Sequence, residues 1–200
     1  MTELTHIKEL ISRAKKQKPG QRILVAIDGR CAAGKTTLAS LLQNEIGCTV
    51  FHMDDFFLRS EQRTEERLRT PGGNVDYERF LSEVLLPLKS GAEWIAFRAF
   101  DCSSMRLKAP VRVRAGEVNL IEGSYSCHPA LWEHYDLHLF MDVSANEQKR
   151  RIIARNTADG WKIFSERWIP LEEAYFQAYQ IKERCEYCIR QKESESIKDD

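Results

Sequence analysis

Residues 23–37 read ILVAIDGRCAAGKTT, and this stretch decides the fold. Ile23 to Ile27 is a short, nearly all-apolar run flanked by polar residues, which suits a strand covered on both faces. Gly29-Arg30-Cys31-Ala32-Ala33-Gly34-Lys35-Thr36 then fits G-x-x-x-x-G-K-[ST], and helix-compatible sequence follows over about 35 to 45. Gly29 and Gly34 allow a tight wrap of backbone, so that successive N–H groups point into a concavity at the positive end of the coming helix. The motif is therefore a phosphate grip that includes Thr37 at its edge. Lys35 reaches β- and γ-phosphates, and the Thr36 hydroxyl helps hold Mg²⁺.

Working outward, the chain has 200 residues, 42% of them apolar, enough for one substantial core and a single domain over 1–200. Thirty basic and thirty acidic side chains cancel, which gives no electrostatic reason to expect a nucleic-acid or membrane partner. The N-terminal stretch is charged throughout and no run is long enough to cross a bilayer, so a cytoplasmic protein is the expectation. Six dispersed cysteines read as reduced thiols. Cys185-Glu-Tyr-Cys188 has the spacing of half a metal site, but no second pair and no downstream histidine complete four ligands.

Leu4, Ile7, Leu10, Ile11 and Ala14 recur at helical spacing before Pro19-Gly20, which predicts an outer N-terminal helix within 1–20. Its stripe suits either a homodimer interface or packing against the sheet. Further strands are predicted at Cys48–Met53, Val118–Ile121 and Leu137–Met141, with edge strands or hairpins near Trp94–Phe100 and Val111–Val113. Asp76 is placed to cap a helix carrying Phe80, Val84, Leu85 and Leu88, and Ser144 with Glu147 to cap one running through Lys149, Arg150, Arg151 and Arg155. A last long helix is expected over Leu171–Ile189, followed by a frayed charged end after Lys192. Strands alternating with helices imply an α/β fold, a mostly parallel sheet with helices on both faces.

Such a loop serves motors, GTPases and small-molecule kinases alike. No Asn-Lys-x-Asp segment specifies guanine, and the compact size suits a transferase better than a motor. A second site must distinguish them, and Asp54-Asp55 at the end of an apolar run is the candidate. The two acids either cap the turn or stand at the strand end for chemistry.

GRCAAGKTT (29–37), HMDDFF (52–57), NVDYERF (74–80), FRAFDCSSMR (97–106) and LIEGSY (120–125) occur in an order that resembles the uridine kinase-like family of P-loop kinases. The resemblance spans roughly the first two thirds of the chain. It implies the three-layer α/β/α fold of P-loop NTPases around a mostly parallel five-stranded sheet, with a substrate-binding excursion in 58–75 and 94–116 and a lid in 150–170. It also implies ATP-dependent phosphorylation of a hydroxyl on a small metabolite, foremost a nucleoside 5′-hydroxyl, with nicotinamide riboside, pantothenate or a sugar phosphate as alternative acceptors. A nucleotide-dependent binding or regulatory protein without efficient transfer is the alternative from another class.

Carried over residue by residue, the resemblance makes Asp54 the base and Asp55 its support near Mg²⁺. Glu122, at a strand end, joins Thr36 as a metal residue. Asp76 matches an acid that contacts ribose, although it equally fits a helix cap. Asp101 and Arg106 match an acceptor-site pair in which Phe100 replaces a tyrosine. Phe56 and Phe57 either pack the loop or place one ring in the pocket, and Phe57 is the substrate-site candidate. Arg151, Arg155 and Arg167 are the lid arginines expected to offset charge on the transferring group, although Asn156-Thr157-Ala158-Asp159 departs from the family's arginine-rich lid. One histidine, His128, is too little to assign.

Overall fold

The computed structural model describes residues 2–191. In chain order, α1 (Glu3–Gln17) leads into β1 (Ile23–Gly29), the phosphate loop, α2 (Lys35–Ile46) and β2 (Thr49–His52). The excursion holds α3 (Glu65–Arg69), a helix built from α4 (Tyr77–Phe80), a π turn over Leu81–Leu85 and α5 (Leu86–Lys89), and the strands β3 (Trp94–Phe97), β4 (Phe100–Asp101), β5 (Arg106–Leu107) and β6 (Val111–Arg114). Then come β7 (Val118–Glu122), α6 (Pro129–Trp132), β8 (Leu137–Asp142), α7 (Ala145–Ile163), a π turn over Phe164–Trp168, α8 (Ile169–Tyr179), α9 (Ile181–Arg184) and β9 (Tyr187–Arg190).

The main sheet has the order β2-β7-β1-β8-β9, and all its pairings are parallel. Its two faces separate with period two, as pleated strands require. Leu24 and Ala26 of β1 join one core with Phe51, Ile121 and Phe140, whereas Ile23, Val25 and Ile27 join the other with Leu120, Leu139 and Met141. The apolar stripe of α1 is spent inside the chain: Ile7 and Ile11 are buried in the second core, with Leu4, Leu10 and Ala14 packed against it. Burial of each isoleucine contributes about 1.5–3 kcal/mol, so the helix is held by packing more than by its own propensity.

Three expectations are corrected. The helix expected over Leu171–Ile189 stops at Tyr179, where Gln180 turns left-handed (φ 51°), and the chain returns as β9. The open edge of β8 offers unpaired backbone groups, and pairing Leu139–Asp142 with Tyr187–Arg190 satisfies them. Tyr187 and Ile189 then face one core and Cys188 the other. The strand expected over Cys48–Met53 ends at His52, and Met53–Phe56 forms a 3₁₀ turn, so Asp54 and Asp55 lie just beyond the strand. Residues 58–74, whose polar, arginine-rich sequence reads as an exposed connection rather than core, contain α3, capped by Thr64. The end after Lys192 lies outside the described residues.

Candidate functional site

The phosphate loop joins β1 to α2 at the C-terminal edge of the parallel sheet, where ligands of open α/β sheets bind. Gly29 adopts φ +131°, and a Cβ there would run into the Met141 carbonyl of β8, so only glycine fits this approach. Gly34 (φ +93°) and Ala32 (φ 59°) complete the wrap. Lys35 is buried, and its Nζ donates to the Gly29 carbonyl at 2.6 Å and the Arg30 carbonyl at 2.9 Å. The ammonium is therefore curled over the mouth of the loop it serves.

Asp28, inside the apolar strand, anchors this geometry. Its fully buried carboxylate accepts from the N–H groups of Gly29, Tyr125 and Cys127 and from the Tyr175 hydroxyl, at 2.7, 3.1, 2.9 and 2.8 Å. Burial still pushes its carboxyl upward against these bonds. Two loops and helix α8 thus meet on one carboxylate.

A cavity of about 740 Å³ opens above the loop. Cys31, Ala32 and Gly34 through Thr37 line it from the phosphate loop, Asp54 and Phe57 from the turn after β2, and Arg151 and Arg155 from α7. Of the two aromatic neighbours, Phe56 is buried in the core, edge-on to Phe80 at 4.8 Å, while Phe57 faces the cavity. Asp54 is reached by solvent, yet desolvation by the surrounding protein raises its carboxyl, with Glu122 and Glu172 adding to it and Lys35 and His52 opposing. Burial also raises Asp55, against His52, Lys108 and Arg79.

Glu122 ends β7 almost fully buried, with the Thr36 hydroxyl 3.2 Å from each of its oxygens and His52 Nδ1 at 2.6 Å from one. That bond raises His52 above its ordinary value. Among the described residues no group of three or more His, Cys, Asp or Glu side chains is arranged to hold a metal alone. A hydroxyl beside a carboxylate nevertheless fits Mg²⁺, which prefers hard oxygen donors and takes few of them from protein, the rest from water and phosphate.

Other expected residues stand apart from the cavity wall. Ala33 is buried beneath the loop, and Arg30 pairs with Asp142 and Glu173. Asp76 caps α4 through the Arg79 N–H at 3.2 Å, and its second oxygen meets the Arg79 guanidinium at 3.3 Å. Asp101 accepts from Ser103 and Ser104, which hold it down to about 2, and Arg106 lies exposed across the same hairpin. Arg167 stacks on Trp168, 4.7 Å from the ring, and only the tryptophan lines the cavity. The two arginines that do line the cavity are held in place: Arg151 donates to Glu147 at 2.8 Å and to the Ala32 carbonyl at 3.2 Å, and Arg155 bonds Asn156 at 3.1 Å. His128 stacks on Tyr77 at 3.9 Å, and burial lowers it to about 4.

Asn74, Ser124, Tyr125 and Glu172 also line the cavity, and sequence reasoning passed over them. NVDYERF and LIEGSY contain the first three, so their motifs were visible even though their roles were not. Glu172 carries no such signal, because an acid one turn into a helix reads as surface.

These elements, in this order around this loop, are the fold of the P-loop kinases. Within that class the chain resembles the uridine kinase-like proteins. It is 24% identical over 156 residues to uridine kinase-like protein 3 of Arabidopsis thaliana, an alignment that covers 73% of this chain and 33% of that protein. The chain thus spans about a third of the length of the curated relative it matches. A candidate fructose transport system kinase from Silicibacter superposes with a TM-score of 0.71 at 20% identity, covering 94% of this chain and 99% of that one. A candidate uridine kinase from Bacillus stearothermophilus gives 0.64 at 19%, covering 92% and 99%. No protein-family profile matches the chain.

Proposed function

We propose that the protein transfers the γ-phosphoryl group of ATP to a hydroxyl of a small metabolite, foremost the 5′-hydroxyl of a nucleoside. The observation that carries this reading is that the Asp54 carboxylate, open to solvent, lines the same cavity as Lys35 and Thr36. Phosphate grip and candidate base share one enclosure, the minimum that in-line transfer to an alcohol requires.

In this reading the amides of residues 29–37 and Lys35 hold the triphosphate. Thr36 and Glu122 hold Mg²⁺, which when bound offsets phosphate charge, with Asp55 as support. Asp54 accepts the acceptor proton as its oxygen attacks phosphorus, while Arg151 and Arg155 meet charge on the transferring group. Phe57 gives the acceptor an apolar wall. Asp76, Asp101, Arg106 and Arg167 contact substrate only if the excursion or the helix after α7 moves toward the cavity.

The test is ADP release by the purified protein with Mg²⁺-ATP and uridine, cytidine, nicotinamide riboside, pantothenate or ribulose phosphate, with product mass to confirm transfer. Acceptor-dependent release with a phosphorylated product is expected. Release indifferent to every acceptor contradicts the kinase reading and favours a nucleotide-dependent regulatory protein.

A further inference from the structure

Glu172 has no place in the mechanism above, yet it is among the most confined acids in the molecule. It stands in the first turn of α8, only 4% exposed, and lines the cavity. One carboxylate oxygen accepts the Cys31 N–H of the phosphate loop at 2.9 Å. The other accepts the Ser124 hydroxyl at 2.6 Å, and Ser124 Oγ lies 3.4 Å from Lys35 Nζ. Each oxygen thus takes one donor, and the nearest ammonium is a single hydroxyl away. A buried carboxylate with no direct cation is costly to keep, so a role in simple packing would be met as well by an apolar residue.

Its neighbours reinforce the arrangement. Glu173 pairs with Arg30 of the same loop, and Tyr175 donates to Asp28 at the loop's root. One turn of α8 therefore grips the phosphate loop at Arg30 and Cys31 and the strand beneath it at Asp28. The same helix continues, through the π turn over Phe164–Trp168, from α7, which carries Arg151 and Arg155.

We propose that Glu172 is a positioning residue: through the Cys31 N–H and the Ser124 hydroxyl it sets the phosphate loop and the Lys35 ammonium for the nucleotide, and ties both to the helix that follows the arginines. This rests on the reading of residues 29–37 as the nucleotide grip and not on the identity of the acceptor. Ser124 is the relay, because it is the group that touches both the carboxylate and the lysine.

The test is a double-mutant cycle on Mg²⁺-ATP affinity, measured by calorimetry without acceptor, so that failure of the kinase reading leaves it intact. Ser124→Ala is expected to weaken binding about tenfold in the wild-type background and less than about twofold when Glu172 is already Gln, whatever Glu172→Gln does alone. Ser124→Thr, which keeps the hydroxyl, is expected to restore affinity to within about twofold. Thermal unfolding checks that each variant is folded. Equal losses from Ser124→Ala in both backgrounds, no loss in either, or failure of Ser124→Thr to restore binding in a folded protein would each overturn the relay.

Discussion

The Thr36 hydroxyl lies 3.2 Å from both oxygens of Glu122, joining the first turn of α2 to the tip of β7. They lie 86 residues apart in sequence, yet β1 and β7 are sheet neighbours and bring their oxygens into one small donor set. If that set holds Mg²⁺, Glu122→Gln raises the Mg²⁺ concentration for half-maximal ADP release by about tenfold or more, in line with loss of a charged metal contact. A titration of Mg²⁺ at fixed ATP reads this directly, and an unchanged midpoint removes Glu122 from the metal site.

Asp54 also makes a prediction about stability. Although solvent reaches its side chain, desolvation by the surrounding protein raises its folded-state carboxyl above the ordinary value, so at neutral pH the charged group costs stability, and the cost disappears as pH falls through that raised value. Asp54→Asn is therefore more heat-stable than wild type at pH 7, with a gap that narrows as pH is lowered toward 4. Thermal unfolding across that range checks the sign. A variant less stable at pH 7 contradicts it.

Cys31, in the phosphate loop, has its thiol pushed up to about 12 by burial and by the neighbouring Glu172. Because the thiolate is the nucleophile, iodoacetamide at pH 8 modifies it roughly a thousandfold more slowly than an ordinary thiol. Peptide mapping over time is expected to show exposed Cys102 labelled well before Cys31. The reverse order refutes the buried, acid-shadowed setting.

The phenol of Tyr175 is one of four donors to the buried Asp28 carboxylate. Tyr175→Phe leaves that carboxylate one donor short at a cost of about 1–3 kcal/mol, which lowers Tm by roughly 2–4 °C for each kcal/mol in a domain of this size. Differential scanning calorimetry decides it, and an unchanged Tm removes the phenol as a support of the loop.

Much of this is legible in the amino-acid sequence, and the reasons are local. The apolar run of Ile23–Ile27, the spacing of Gly29, Gly34 and Lys35, and the cap at Asp76 each depend on neighbours within a few residues, so the chain states them openly. At Asp76 the cap and the pairing of the second oxygen with the Arg79 guanidinium are both contacts three residues along the chain. β9 was illegible because Tyr187–Arg190 is a strand only when the edge of β8 is there to pair with it. Glu172 was illegible for the same reason, as its partner in the phosphate loop lies 141 residues away in sequence.

The central claim is that Asp54 takes the proton of an acceptor that shares its cavity with the phosphate grip. Asp54→Asn, tested with whichever acceptor wild type phosphorylates, measures it most directly. The account predicts Mg²⁺-ATP affinity within about threefold of wild type and kcat lower by about 10²–10⁴-fold. Turnover at the wild-type rate would contradict it.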